Sequence, residues 1–218
     1  MKFFISGKQL KNEEFWNTLT HLIGLVLSIV GIPFILIANQ NLSTYSLFSI
    51  LFFQFGLLFM YSSSTLYHYM KNIRLKKAFR ILDHISIYYL IAGSYAPVCL
   101  ITLYEYSGIE IFIIIIFITI VGTFFKLFFT GRFEKSSLYL YLTMGWLIIV
   151  KIDDLTRLIS TSGLVLIVCS GLLYSIGTFF YSSKTIKYSH AIWHLFVMAG
   201  SITHYFFVLY FIVQLNFF

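Results

Sequence analysis

The chain has 218 residues, 59% of them hydrophobic and only 11% charged, where a soluble domain carries about a quarter charged; a soluble enzyme or binding module is excluded. The net charge of +7 would suit a nucleic-acid binder, but the basic residues fall in short stretches between apolar runs, so no nucleic-acid partner is expected. The length allows several membrane crossings in a single domain, residues 1–218, with no Pro/Gly/Ser-rich linker to divide it.

In chain order the sequence predicts a polar tail, Met1 to Glu14, and then seven apolar runs. They lie at roughly 16–38, 44–69, 82–104, 109–130, 137–152, 162–182 and 189–213, each near the ~20 residues that span a bilayer. The fifth is the shortest. The first has no A-x-A cleavage site and reads as a retained helix. Pro33 and Pro97 fall inside runs, where membrane helices tolerate them. Cys99 and Cys169 also lie inside apolar runs, so no structural disulfide is expected. The expected fold is all-α, a polytopic bundle of seven transmembrane helices.

Charge sets the direction. Lys2, Lys8 and Lys11 precede the first run, and Lys71, Arg74, Lys76, Lys77 and Arg80 follow the second. Lys126, Arg132 and Lys135 flank the end of the fourth, and Lys184 and Lys187 precede the seventh. Only Lys151 and Arg157 fall on the opposite side, so thirteen basic residues face two. The positive-inside rule then puts the N-terminus inside and the C-terminus outside.

This orientation gathers polar residues at one depth. His68 ends the second run, Asp83 and His84 begin the third, and His190 and His194 begin the seventh. His190 and His194 are an i,i+4 pair on one helix face. Buried imidazoles need partners: backbone groups or lipid headgroups suit a lone interfacial histidine, and a metal suits several at one level. His68, His190 and His194 would leave a fourth position for water, the open type of zinc site. Asp83 suits two roles equally, capping its helix or serving the metal's water or a ligand imidazole. His84 points ~100° away around the helix and is read as structural. Ser64 shares the face of His68; bonding back to its own helix is its ordinary role, and a place beside the metal water its functional one. Glu14, Asn17 and His21 form a stripe that either serves the helix start or lines an inner cavity. His204 lies ten residues beyond His194, roughly 15 Å along the axis. It is too far to share the ion and reads as an interhelical hydrogen-bonding group.

Three blocks carry a resemblance: Glu14-Phe-Trp-Asn17-Thr-Leu-Thr-His21; Ser64-Thr-Leu-Tyr-His68 through Asp83-His84 to Ile91-Ala-Gly-Ser-Tyr-Ala-Pro97; and His190-Ala-Ile-Trp-His194 continuing to His204. Together they resemble the hemolysin III family, related to the progestin and adipoQ receptors, including the adiponectin receptors, and to alkaline ceramidases. The resemblance implies seven helices with the N-terminus inside and Zn2+ held by His68, His190 and His194, with Asp83 and Ser64 close to the metal water. The expected setting is a bacterial cytoplasmic (inner) membrane. Hormone reception is not carried over, because the long N-terminal region of the animal receptors has no counterpart here.

The expected function is zinc-dependent hydrolysis of a lipid amide or ester, with Asp83 and Ser64 catalytic and membrane lipids bearing an acyl chain as partners. The alternative is a receptor-like or pore-forming protein in which zinc is structural. The ionisable groups cluster at one face, which favours a closed cavity over a channel.

Overall fold

The computed structural model describes residues 7–213, and their side chains from residue 12 onward. Lys2 lies outside the described residues, and Lys8 and Lys11 outside the described side chains. The elements are α1 (Gly7–Ala38), α2 (Ser46–Tyr69), α3 (Ile73–Pro97), α4 (Gly108–Phe129), α5 (Glu134–Trp146), α6 (Ile152–Leu158), α7 (Thr161–Ser182) and α8 (Ser189–Phe207). A 3₁₀ turn, Leu147–Lys151, joins α5 to α6, so the described residues form seven helical rods and no strands. Six rods are long and apolar enough to cross a membrane. Their outer faces are apolar: Phe128 is 76% exposed and Ile113 61%, which suits lipid and would be a liability in water.

The third rod starts nine residues before its apolar run. Asn72 caps α3, its side chain accepting from the amides of Arg74 and Leu75. The basic stretch Arg74–Arg80 is therefore an amphipathic first segment of α3 and not a loop. Reading apolar runs alone cannot see it, because Arg, Lys, Leu and Ala form helix as readily as the apolar residues that follow.

The fifth rod breaks in mid-course. Its free backbone groups are met by Tyr95 of α3, whose hydroxyl shares its one proton between the carbonyls of Met144 and Gly145 at 2.8 and 3.1 Å. The same oxygen accepts from the Ile148 amide at 2.8 Å. With no water in a bilayer core, that substitution is what makes the break tolerable. The third and last rods end in π turns, Val98–Thr102 and Val208–Ile212. In the third, Pro97 has no amide to donate and the ladder slips to the Leu103 amide on the Val98 carbonyl, 2.9 Å.

Helices α1, α2, α3 and α4 pack in chain order, and α8 lies between α7 and α1. The tightest seam is α2 against α3. A Cβ on Gly56 would sit 2.6 Å from the Tyr89 carbonyl oxygen, and one on Gly93 3.1 Å from that of Phe52. Gly56 therefore faces Gly93, and Ser63 bonds Ser86 at 2.9 Å. Each step up α2 is a step down α3, so Asp83 lies level with Leu66, within a turn of Ser64 and His68. Cys99 and Cys169 are free thiols, as expected.

Candidate metal centre and its cavity

Two rods bring the histidines together. His68 ends α2, and His190 and His194 occupy the first turns of α8. His194 is fully buried and His68 is 6% exposed. One nitrogen from each of His68, His190 and His194 lies within 4.8 Å of the others. Nε2 of His190 is 3.2 Å from Nε2 of His68. Two nitrogens bound at ~2.0–2.1 Å in a tetrahedral shell would lie about 3.3 Å apart, so the pair already has ligand spacing.

The other nitrogens are held from α1. Nδ1 of His68 donates to Oε2 of Glu14 at 2.8 Å, and Oε1 of the same carboxylate accepts from Lys76 at 3.0 Å. Nδ1 of His194 is 3.2 Å from the Asn17 carbonyl and 3.2 Å from the Thr20 hydroxyl. A carbonyl and a carboxylate only accept, so Nδ1 carries the proton in both rings and Nε2 presents a lone pair. Nε2 of His194 is buried with no partner among the described residues. An orphaned, lone-pair-bearing imidazole nitrogen beside a second buried histidine, His68, and a half-buried one, His190, fits a metal ion by donor chemistry.

Ser64 Oγ is also buried and unpartnered. It does not bond back to its own helix, the ordinary role for a serine at that position. Asp83 is 6% exposed and lines a cavity. Its carboxylate bonds none of the three imidazoles among the described residues. The carboxylate that does bond one of them, His68, is Glu14. His84 lies apart from the cluster: its Nε2 is 3.8 Å from Glu134, and its carbonyl accepts from Tyr141.

Sequence reasoning left Glu14 and Asn17 between the helix start and a cavity lining, and did not give them to the imidazoles they hold. Their i,i+3 spacing was the available signal. His21 completes that stripe, its ring stacked on His194 with centroids 3.5 Å apart.

Beside the cluster opens a cavity of about 230 Å³. On the third rod its lining runs from Asp83 to Val98, fifteen residues or roughly 22 Å of helix axis. His21 and Trp193 close it on the cluster side, and its walls are mostly apolar. Ile149, Ile152 and Val168 line it and are also 52%, 44% and 43% exposed, so the wall between the broken rod and α7 is open to the surrounding lipid.

Lys126, counted among the inner-side cations from sequence, is fully buried and bonds Glu134 at 2.9 Å. Glu134 also accepts from the Gly131 amide and lies 3.7 Å from Arg80. Burial alone would raise its carboxyl, but His84 and the Lys126 ammonium more than reverse that and hold it below the ordinary value of 4.5.

The family model described as "Haemolysin-III related" matches residues 9–205. The chain is 40% identical to the Hemolysin-3 homolog of Bacillus subtilis (strain 168), over 94% of this chain and 97% of that one. It is 39% identical to Hemolysin-3 of Bacillus cereus, over 94% of both. It is 29% identical to the human Monocyte to macrophage differentiation factor, over 89% of this chain and 82% of that one. No solved structure matches it significantly. With six candidate spans and matches over nearly its whole length, the chain is a multi-pass integral membrane protein that belongs to the haemolysin-III-related family.

Proposed function

We propose that the protein is a zinc-dependent hydrolase of the membrane, cleaving the amide or ester bond of a lipid that carries an acyl chain. The observation that carries this reading is the juxtaposition of a three-histidine cluster, two of its members buried and the third half-buried, with an apolar cavity whose wall is open to lipid. His68, His190 and His194 would hold the ion through Nε2. When bound, zinc supplies Lewis acidity toward a carbonyl and lowers the pKa of a water at the open position.

The chain's own residues then divide the work. Glu14 and the Asn17 carbonyl fix the tautomers of His68 and His194. Asp83, within a turn of His68 and facing the cavity, accepts the proton of the attacking water and returns it to the leaving group. Ser64, with a free hydroxyl, donates to the oxygen on which charge develops. The apolar cavity takes the acyl chain and keeps bulk water out.

The test is zinc content and lipid turnover on the same preparations, using wild type, His194→Ala and Asp83→Asn. His194→Ala should lose zinc and activity together. Asp83→Asn should keep its zinc while turnover falls ~10²-fold or more. Wild-type protein that holds no stoichiometric metal after zinc-replete expression would remove the reading. Zinc loss that lowers only the melting temperature, with no hydrolysis in any preparation, would favour a receptor-like or pore-forming protein with structural zinc.

A further inference from the structure

The cavity has a second polar point that the proposed reaction does not use. His204 on α8 is 6% exposed and lines the cavity together with Ser94 of α3 and Ser170 of α7. It lies ten residues past His194, about 15 Å farther along the helix. Its Nε2 is 3.1 Å from the Ser94 carbonyl. A carbonyl only accepts, so Nε2 carries the proton and Nδ1 is left as an acceptor.

The group beside that acceptor is Ser170, 2% exposed, with Oγ 3.4 Å from Nδ1. A serine has one proton, and the Ser170 hydroxyl already donates to its own helix at the Ile167 carbonyl, 2.8 Å away. The shorter bond takes the proton. Nδ1 of His204 therefore has a hydroxyl oxygen nearby but no good donor, in the middle of an apolar bundle. A residue serving only to tie α8 to α3 would need the Ser94 bond and nothing more. The Ser170–His204 pair on the cavity wall is what that role leaves unexplained.

We propose that His204 and Ser170 form a hydroxyl-binding point within the cavity, selecting lipids that carry a hydroxyl partway along the chain. The ligand hydroxyl donates to Nδ1 of His204. Its oxygen accepts from Ser170 when that side chain turns away from its helix. A plain hydrocarbon chain lying in the cavity passes a polar pair and satisfies neither member. The placement of the lipid's polar end at the histidine cluster rests on the proposed function; the hydroxyl preference rests on His204 and Ser170 alone.

The test measures binding, not turnover. The full chain in nanodiscs is titrated with N-ricinoleoyl ethanolamine and N-oleoyl ethanolamine, which differ by one mid-chain hydroxyl. The hydroxylated lipid should bind about tenfold more tightly, or ~1.4 kcal/mol. The preference should persist when zinc is removed with a chelator, so a failed hydrolase reading leaves this result interpretable. It should vanish in His204→Phe. Where that variant does not fold, Ser170→Val fills the space beside Nδ1 and should abolish the preference at near wild-type thermal stability. Equal binding of the two lipids by wild type, or a preference that survives in folded Ser170→Val, would overturn the proposal.

Discussion

Glu14 and His68 are hydrogen-bonded at 2.8 Å across 54 residues of sequence. The bond joins α1 to the end of α2 and sets which nitrogen of His68 faces the cluster. Removing such an orienting carboxylate typically costs 10–100-fold in metal affinity. Glu14→Ala should weaken zinc binding by about that factor, and Glu14→Gln should recover part of it, since its amide oxygen still accepts. Competition against a chelator of known affinity measures both. Wild-type affinity in Glu14→Ala would show that the bond orients nothing.

Tyr95→Phe should destabilise the bundle although it alters no apolar contact. The lost hydroxyl serves Met144, Gly145 and the Ile148 amide at the break of the fifth rod. A stranded backbone group costs about 1–3 kcal/mol. Thermal unfolding in detergent should show a clear drop. An unchanged melting temperature would mean that the break finds other partners.

Glu134 should make the α3–α4–α5 end of the bundle sensitive to acid. Its carboxyl is held below the ordinary 4.5, so its stabilisation is complete above that value and is lost as pH falls through the lowered one. Glu134→Gln removes the counter-charge of buried Lys126. Breaking a buried pair costs about 3–5 kcal/mol, and the 29% exposure of the Glu134 side chain places this one toward the low end. The variant's melting temperature should also fall less steeply below pH 5 than the wild type's. Parallel pH profiles would exclude Glu134 as the responsible group.

The connection from Lys71 and the first turns of α3 to Arg80 should face the cytoplasm, as should the N-terminus, on the thirteen-to-two asymmetry of basic residues. Single cysteines introduced there into a cysteine-free background should resist an impermeant thiol reagent in intact cells and react after permeabilisation. Labelling from outside would invert the topology.

What the sequence reveals here is periodic or compositional. The seven rods follow from apolar runs, and the trio of His68, His190 and His194 from an i,i+4 pair plus one residue at matching depth. What it hides is set by long-range contact. Nothing near residue 147 announces that Tyr95, some fifty positions earlier, will satisfy a broken helix. Lys126 reads as one more inner-side cation because its partner Glu134 lies across a turn beginning at Thr130. Arg74–Arg80 reads as loop because a hydropathy pattern follows burial in lipid, while helix formation follows backbone propensity and the Asn72 cap. The stripe of Glu14, Asn17 and His21 is visible, but which ring each would touch depends on how α1 leans on α2 and α8.

The exposed lining residues Ile149, Ile152 and Val168 have a kinetic consequence. A ligand entering between the broken rod and α7 arrives by diffusion in the plane of the bilayer, not from water. The concentration that governs occupancy of the cavity is then the mole fraction of that lipid in its leaflet. Diluting it with inert phospholipid should lower occupancy even when the total amount per volume is constant, and diluting the vesicles with buffer should not.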